Sequence, residues 1–214
     1  MRSFVNILLV LLAFSLLVGG YFYFGKGKKV RTLPYYAPVE KGLQAQKDEK
    51  GRHTAADFSL TDQTGKSISR KDFSNSVSVV DFFFTTCEGI CPVMARQMER
   101  VYKEYKGNPR VKFISHTVNP ENDSVEALAA YAQKYNADPS QWFFVTGDKK
   151  QIYDLARHSY LISDTRGDGG KEDFVHSQNF ALIDPAGHVR GLYDGTDPVD
   201  VDRLIVEIRV LLGE

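Results

Sequence analysis

Cysteine is scarce in this chain: its 214 residues hold only Cys87 and Cys91. Two thiols cannot build a four-thiolate zinc site or a disulfide framework, so whatever they do, they do as one local pair. A surplus of charge is missing too, because 27 Lys+Arg balance 27 Asp+Glu. That balance leaves no electrostatic footprint for nucleic acid, and no nucleic-acid partner is expected. No internal repeat is visible. Against these absences, a hydrophobic content of 43% suffices for an ordinary core. The length suits one domain with additional segments.

One long hydrophobic run stands at the N-terminus. From Phe4 to Phe24 there is no charge, and only Asn6 and Ser15 are clearly polar. A run of about 20 apolar residues matches the span of a bilayer. Tyr21, Phe22, Tyr23 and Phe24 suit an interfacial aromatic belt. A cleaved signal peptide, the competing reading, has a shorter apolar core and a small-residue cleavage site. No cysteine follows the run, which excludes lipoprotein attachment. Residues 1–25 are therefore read as a single membrane anchor. Lys26, Lys28, Lys29 and Arg31 follow the run and Arg2 precedes it. Positive-inside counting would put the domain in the cytoplasm, yet long domains translocate against such a bias. Residues 26–52, polar and turn-rich, read as a tether with a coil reach on the order of 30 Å. Residues 53–214 form the folded domain.

Within that domain, strand and helix patterns alternate. Two short strands flank a turn at Gln63-Thr64-Gly65-Lys66 within residues 57–69. The near-continuous apolar run 77–84 fits a buried central strand. Residues 91–106 are helical, with Cys91, Met94, Met98, Val101, Tyr102 and Tyr105 along one stripe. A strand at 111–118, a helix at 124–135 capped by Ser124, a strand at 142–147 and a helix at 149–161 follow. A glycine-rich loop then leads to the strand 179–185, a turn at Ala186-Gly187, the strand 188–195 and an amphipathic helix at 199–212. The pattern predicts a three-layer α/β/α sandwich.

The two cysteines lie at the junction of the central strand and the first helix, with Pro92 at an early helical position that tolerates a missing N–H. Thiols at a helix N-terminus are expected to have lowered pKa values. If residues 87–91 complete a helical turn, the sulfurs share one face and can pinch one ion or close a disulfide. A structural disulfide is a poor use of the spacing, because so short a ring gains little loop entropy. Two thiolates suit Cu(I), whereas Cu(II) calls for added nitrogen.

Five histidines are available for that nitrogen. His53 falls in the tether, His158 on a surface or boundary of a helix, and His188 in a hairpin turn facing solvent. His176 ends the glycine-rich loop just before a strand, where functional groups gather on one rim of an open α/β sheet. His116, ending the strand at 111–118, is a weaker candidate on the same rim. Met94 and Met98, at helical spacing, read as core.

"FFFTTCEGICPVM", "FISHTVNPENDSVEALAAYA", "VHSQNFALIDPAG" and the anchor-plus-tether arrangement together resemble the Sco (SenC) proteins. The resemblance covers residues 54 to 212. It implies a thioredoxin-like fold, a copper ion, as Cu(I) or Cu(II), held by Cys87, Cys91 and His176, and a role in cytochrome c oxidase assembly. It also implies a domain outside the cytoplasm, held at the inner membrane by a single-pass anchor and facing the periplasm or exterior. The chain departs from the family pattern at Val175, where many members carry Asp, and at Asn119, where many have Asp before the proline. An acidic neighbour can orient or tune an imidazole.

Three functions fit the pair. The first is copper delivery to the oxidase's copper-bearing subunit, with an upstream copper donor and a thiol reductase as further partners. Thiol–disulfide exchange is the second, since a thiolate that binds Cu(I) also attacks disulfides. A peroxidase with one low-pKa thiol and one resolving thiol is the third. His176 separates the first from the second, because exchange does not need it.

Overall fold

Every residue from Val77 to Phe83 is buried, which requires cover on both faces of the sheet that holds them. The computed structural model describes residues 32–38, 46–163, 167, 170, 173 and 175–213, together with Asn6, Phe14 and Ser15. Seven strands are present: β1 (Leu60–Asp62), β2 (Ser67–Ile68), β3 (Val77–Phe83), β4 (Val111–Thr117), β5 (Trp142–Thr146), β6 (Asn179–Ile183) and β7 (Val189–Asp194). They form one sheet in the order β2-β1-β5-β4-β3-β6-β7. Strands β3, β4 and β5 are parallel neighbours, and the flanking pairs are antiparallel.

The two-residue alternation of β3 assigns its side chains to two cores. Val77, Val79 and Phe83 pack with Met98, Leu128 and Ile208. These come from α1 (Cys91–Tyr105), α2 (Val125–Lys134) and α4 (Pro198–Gly213). Val80 and Phe82 point the other way, into a second core with Ile152 and Tyr153 of α3 (Lys149–Asp154). Each fully buried large apolar side chain contributes about 1.5–3 kcal/mol, so both layers of helices are held strongly. The three-layer α/β/α arrangement matches the sequence pattern, and Met94 and Met98 sit in the core as expected. Ser124 caps α2, its hydroxyl accepting from the Ala127 N–H at 3.3 Å.

Other expectations need correction. The helix expected to run to residue 161 leaves α geometry after Asp154 and ends as a π-helical turn, Leu155–Ser159, with Leu161 at φ 58. Part of the expected tether is docked on the domain, whose compact unit runs from Leu33 to Gly213. The Arg190 guanidinium donates to the carbonyls of Leu33 and Pro34 at 2.8 and 3.0 Å. It also lies 4.2 Å from the centre of the Tyr35 ring, which Arg52 approaches at 4.5 Å. His188 does not face solvent. It is 2% exposed, and its ring nitrogens sit 2.9 Å from Asp184 and 3.1 Å from Asp48. His53 is likewise buried, with Nε2 2.8 Å from the Ser159 carbonyl. Polar composition hid these segments, because their burial depends on ionic partners far away in sequence. The expected anchor lies outside the described residues apart from Asn6, Phe14 and Ser15. Among the described residues, no helix is long and apolar enough to cross a membrane.

His116 is fully buried in the second core, stacked on Phe82 at 4.8 Å. Among the described residues neither of its ring nitrogens has a hydrogen-bond partner. Burial pushes its pKa down to about 3, from 6.5. Asp81 of β3, buried beside Ser115, is pushed up by burial to about 7, from 3.8. The two oppose each other in acid. As pH falls from about 6.5, unfolded chains take up the His116 proton first, so stability is lost. As pH falls from about 7 towards 4, the folded state takes up the Asp81 proton first, so stability is gained. Replacing His116 with Phe removes two buried ring nitrogens whose polar neighbours are the Asp81 and Ile114 main chains, beyond good hydrogen-bond geometry, and should stabilise the protein by about 1 kcal/mol at pH 7. It should also unmask the Asp81 slope, so that the variant grows more stable from pH 6.5 to 4.5 while the wild type stays nearly flat. Calorimetric melting at these pH values checks both points; a destabilised variant or an unchanged pH profile would contradict them.

Candidate functional site

Strand β3 ends at Phe83, and the chain crosses residues 84–90 without regular structure before α1 begins at Cys91. Cys87 therefore precedes the helix, and the pair does not ride on one helical turn as expected. A turn closed by the Cys87 N–H donating to the Phe84 carbonyl at 3.2 Å brings it round. The two thiols are free, and Cys87 lies near enough to Cys91 to raise its pKa. Cys87 is half-buried and Cys91 is buried. Pro92 stands in the first turn of α1, where its missing N–H costs nothing.

The expected lowering of thiol pKa is overturned for Cys91. Burial pushes it up to about 12, helped by the adjacent Cys87 and by Asp81 and opposed by the Phe84 main chain. Desolvation wins because α1 starts inside the core, where Cys91 packs with the first cluster of apolar side chains. A buried thiol of this kind keeps its proton at neutral pH. A metal ion that binds it must displace that proton.

Cys87 and Cys91 open onto a cleft whose lining includes Phe84, Ile90, Val118, Val175 and His176. The structure thus brings Cys87, Cys91 and His176 to one cleft. His176 is exposed there. Its loop is tied down on both sides: Arg157 grips Asp173 with two hydrogen bonds of 2.6 and 2.7 Å, and the Ser177 hydroxyl donates to the Ile162 carbonyl at 2.9 Å. Among the described residues, no group of three or more His, Cys, Asp or Glu side chains stands close enough to hold a metal ion. The imidazole shares the cleft with the sulfurs without closing on them. The donor set itself, two soft sulfurs and one nitrogen, fits copper.

The remaining histidines fall elsewhere. His116, expected on the same rim, contacts Phe58, Phe82 and Tyr160 in the second core, on the face of the sheet away from α1. His158 is partly exposed on the π-helical turn, 3.7 Å from Asp154. At the two family departures, Val175 is buried in the second core, and Asn119 accepts the Asn122 and Asp123 N–H groups in the loop before α2. Sequence reasoning overlooked Asp81, the one charge in the run from Val77 to Phe84. A lone carboxyl in a buried strand was the available signal.

The SCO1/SenC family model matches residues 46–213. A curated relative, the SCO1 protein homolog of Bacillus subtilis (strain 168), is 32% identical over 154 residues, covering 71% of this chain and 79% of its own length. The structure of BsSco, described as a member of the Sco family of cytochrome c oxidase assembly proteins with a disulfide switch, is 28% identical. It superposes with a TM-score of 0.64 over 85% of this chain and 98% of BsSco. ScoI of Bradyrhizobium japonicum, solved with copper bound, is 20% identical and shares the fold, with a TM-score of 0.59 over 74% of this chain and 99% of ScoI. With its thioredoxin-like α/β fold and a family match over most of its length, the chain belongs to the SCO1/SenC family.

Proposed function

We propose that this domain takes up copper between Cys87 and Cys91, with His176 as the third ligand, and hands it to the copper-bearing subunit of a cytochrome c oxidase during assembly. The observation that carries the reading is the pair of adjacent thiols opening onto a cleft that His176 also lines. Two thiolates hold Cu(I), and the imidazole supplies the nitrogen that Cu(II) prefers. The assembly role is that of the Sco family of cytochrome c oxidase assembly proteins, of which BsSco is a member. In this reading the run from Phe4 to Phe24 holds the protein in the inner membrane, with the domain facing the periplasm or exterior. A copper donor loads the domain and a thiol reductase keeps the pair open.

A second reading has a specific observation behind it. The two thiols adjoin while the imidazole stands apart, which is all that thiol–disulfide exchange requires. In that case the domain reduces the cysteines of the oxidase subunit and delivers no metal. Mixing the copper-loaded domain with the metal-free, reduced copper-bearing domain of the oxidase subunit separates the two. Copper should move to the subunit, followed by metal analysis of the separated proteins. Retention of copper by the donor, together with stoichiometric reduction of an oxidised subunit, would replace delivery with exchange.

A further inference from the structure

Asp123 is fully buried in the loop before α2, and its carboxylate bonds to groups on two separate elements. Oδ1 accepts the Thr85 hydroxyl at 2.5 Å, and Oδ2 accepts the Thr85 N–H at 3.1 Å. Oδ2 also accepts the Thr117 hydroxyl at the end of β4. The Thr117 Oγ1 in turn accepts the Asn119 N–H at 3.0 Å, and the Asn119 carbonyl accepts the Asp123 N–H at 2.9 Å. The carboxylate is thereby fixed relative to β4 before it reaches Thr85. Its bonds to Thr85 are the only ones of these that cross to the cysteine-bearing loop.

Thr85 adjoins Phe84, whose main chain meets both cysteines. The Phe84 carbonyl accepts the Cys87 N–H, and the Phe84 main chain lies near Cys91 and favours its thiolate. Fixing both the N–H and the hydroxyl of Thr85 therefore fixes Phe84, and through it the placement of the two sulfurs. A carboxylate held by three donors is a strong anchor, since hydrogen bonds to charged groups contribute about 1.5–3 kcal/mol each. We infer that Asp123 is a positioning residue for the cysteine pair, acting through Thr85 to hold Cys87 and Cys91 at the spacing their chemistry needs.

The copper part of this inference rests on the proposed function; the thiol part does not. The dithiol and disulfide forms interconvert with glutathione, two protein thiols giving one disulfide as one oxidised glutathione gives two reduced molecules. A loosened loop lowers the effective concentration of one sulfur at the other. Thr85→Val cuts a bond that crosses to the loop, and Thr117→Val cuts the bond that stays within the β4 side. Both remove one hydroxyl from the same carboxylate, and Thr117→Val also strands the Asn119 N–H, so stability should fall at least as far in Thr117→Val as in Thr85→Val. Thr85→Val should shift the dithiol–disulfide equilibrium about tenfold towards the dithiol, or about 30 mV, and weaken Cu(I) binding about tenfold. Thr117→Val should shift neither by more than about twofold on the same scale. Thr85→Ser, which keeps the hydroxyl, should behave as wild type and guards against a valine variant that does not fold. Equal shifts in Thr85→Val and Thr117→Val, or none in Thr85→Val, would overturn the inference. If the wild type takes up no Cu(I) while its disulfide equilibrium still responds to Thr85→Val, the positioning role stands and the copper function fails.

Discussion

Replacing either Cys87 or Cys91 with Ser should weaken Cu(I) binding by about a hundredfold to several hundredfold. The magnitude follows from structural metal sites, in which four ligands bring about 10–16 kcal/mol, or roughly 2.5–4 kcal/mol per ligand. Each 1.4 kcal/mol is about a factor of ten. A serine hydroxyl is a neutral, hard donor where a soft thiolate stood, so little of the interaction survives. The buried position of Cys91 adds a pH dependence. Its pKa is pushed up to about 12, so below that value a copper ion must release its proton on binding. Apparent Cu(I) affinity of the wild type should rise about tenfold per pH unit from this proton between pH 6 and 8. Cys91→Ser should lose that part of the slope along with the affinity. Titration against a chromogenic Cu(I) chelator at several pH values reads both quantities. Serine variants that compete as well as wild type would remove the thiols from the site.

His176→Ala should abolish the intense thiolate-to-Cu(II) absorption while leaving the redox chemistry of the pair almost untouched. Two thiolates alone leave Cu(II) under-coordinated and prone to reduction, because the ion prefers added nitrogen and tetragonal geometry. The exposed imidazole that shares the cleft with the two thiols is the nitrogen donor. Exchange needs only a thiolate and a leaving thiol, so the Cys87/Cys91 potential should stay within about 30 mV of wild type. His116→Ala is the control and should change neither, since His116 lies in the core on the opposite face. A His176→Ala protein with an intact Cu(II) spectrum would strip His176 of its role, and loss of the spectrum in His116→Ala would reassign it.

The parts of this protein legible in its sequence are those set by local pattern. The run from Val77 to Phe83 announced a strand covered on both faces, and the stripe from Cys91 to Tyr105 announced the helix that covers one of them. Two cysteines at that junction marked the candidate site, and the loop-to-strand position of His176 anticipated that it lines the same cleft. What escaped notice depends on partners distant in sequence. Arg190 reaches Leu33 across 157 positions and His188 reaches Asp48 across 140, so polar composition around residues 33–52 read as tether. The acidity of Cys91 was misjudged because the helix-end effect is visible in sequence, whereas its opponent, burial among Met94, Phe83 and Tyr131, exists only once the layers assemble. Asp123 was hidden for the same reason, since Thr85 lies 38 positions away.

The most direct test of the account is the copper content of the domain in its two redox states. The reduced domain, from Leu33 onward, should retain one Cu(I) per chain against a competing chelator. After mild oxidation closes the Cys87–Cys91 disulfide, it should retain none, and reduction should restore full loading. Equal copper retention by the oxidised and reduced forms would show that the ion is held elsewhere and would contradict the assignment of the thiol pair.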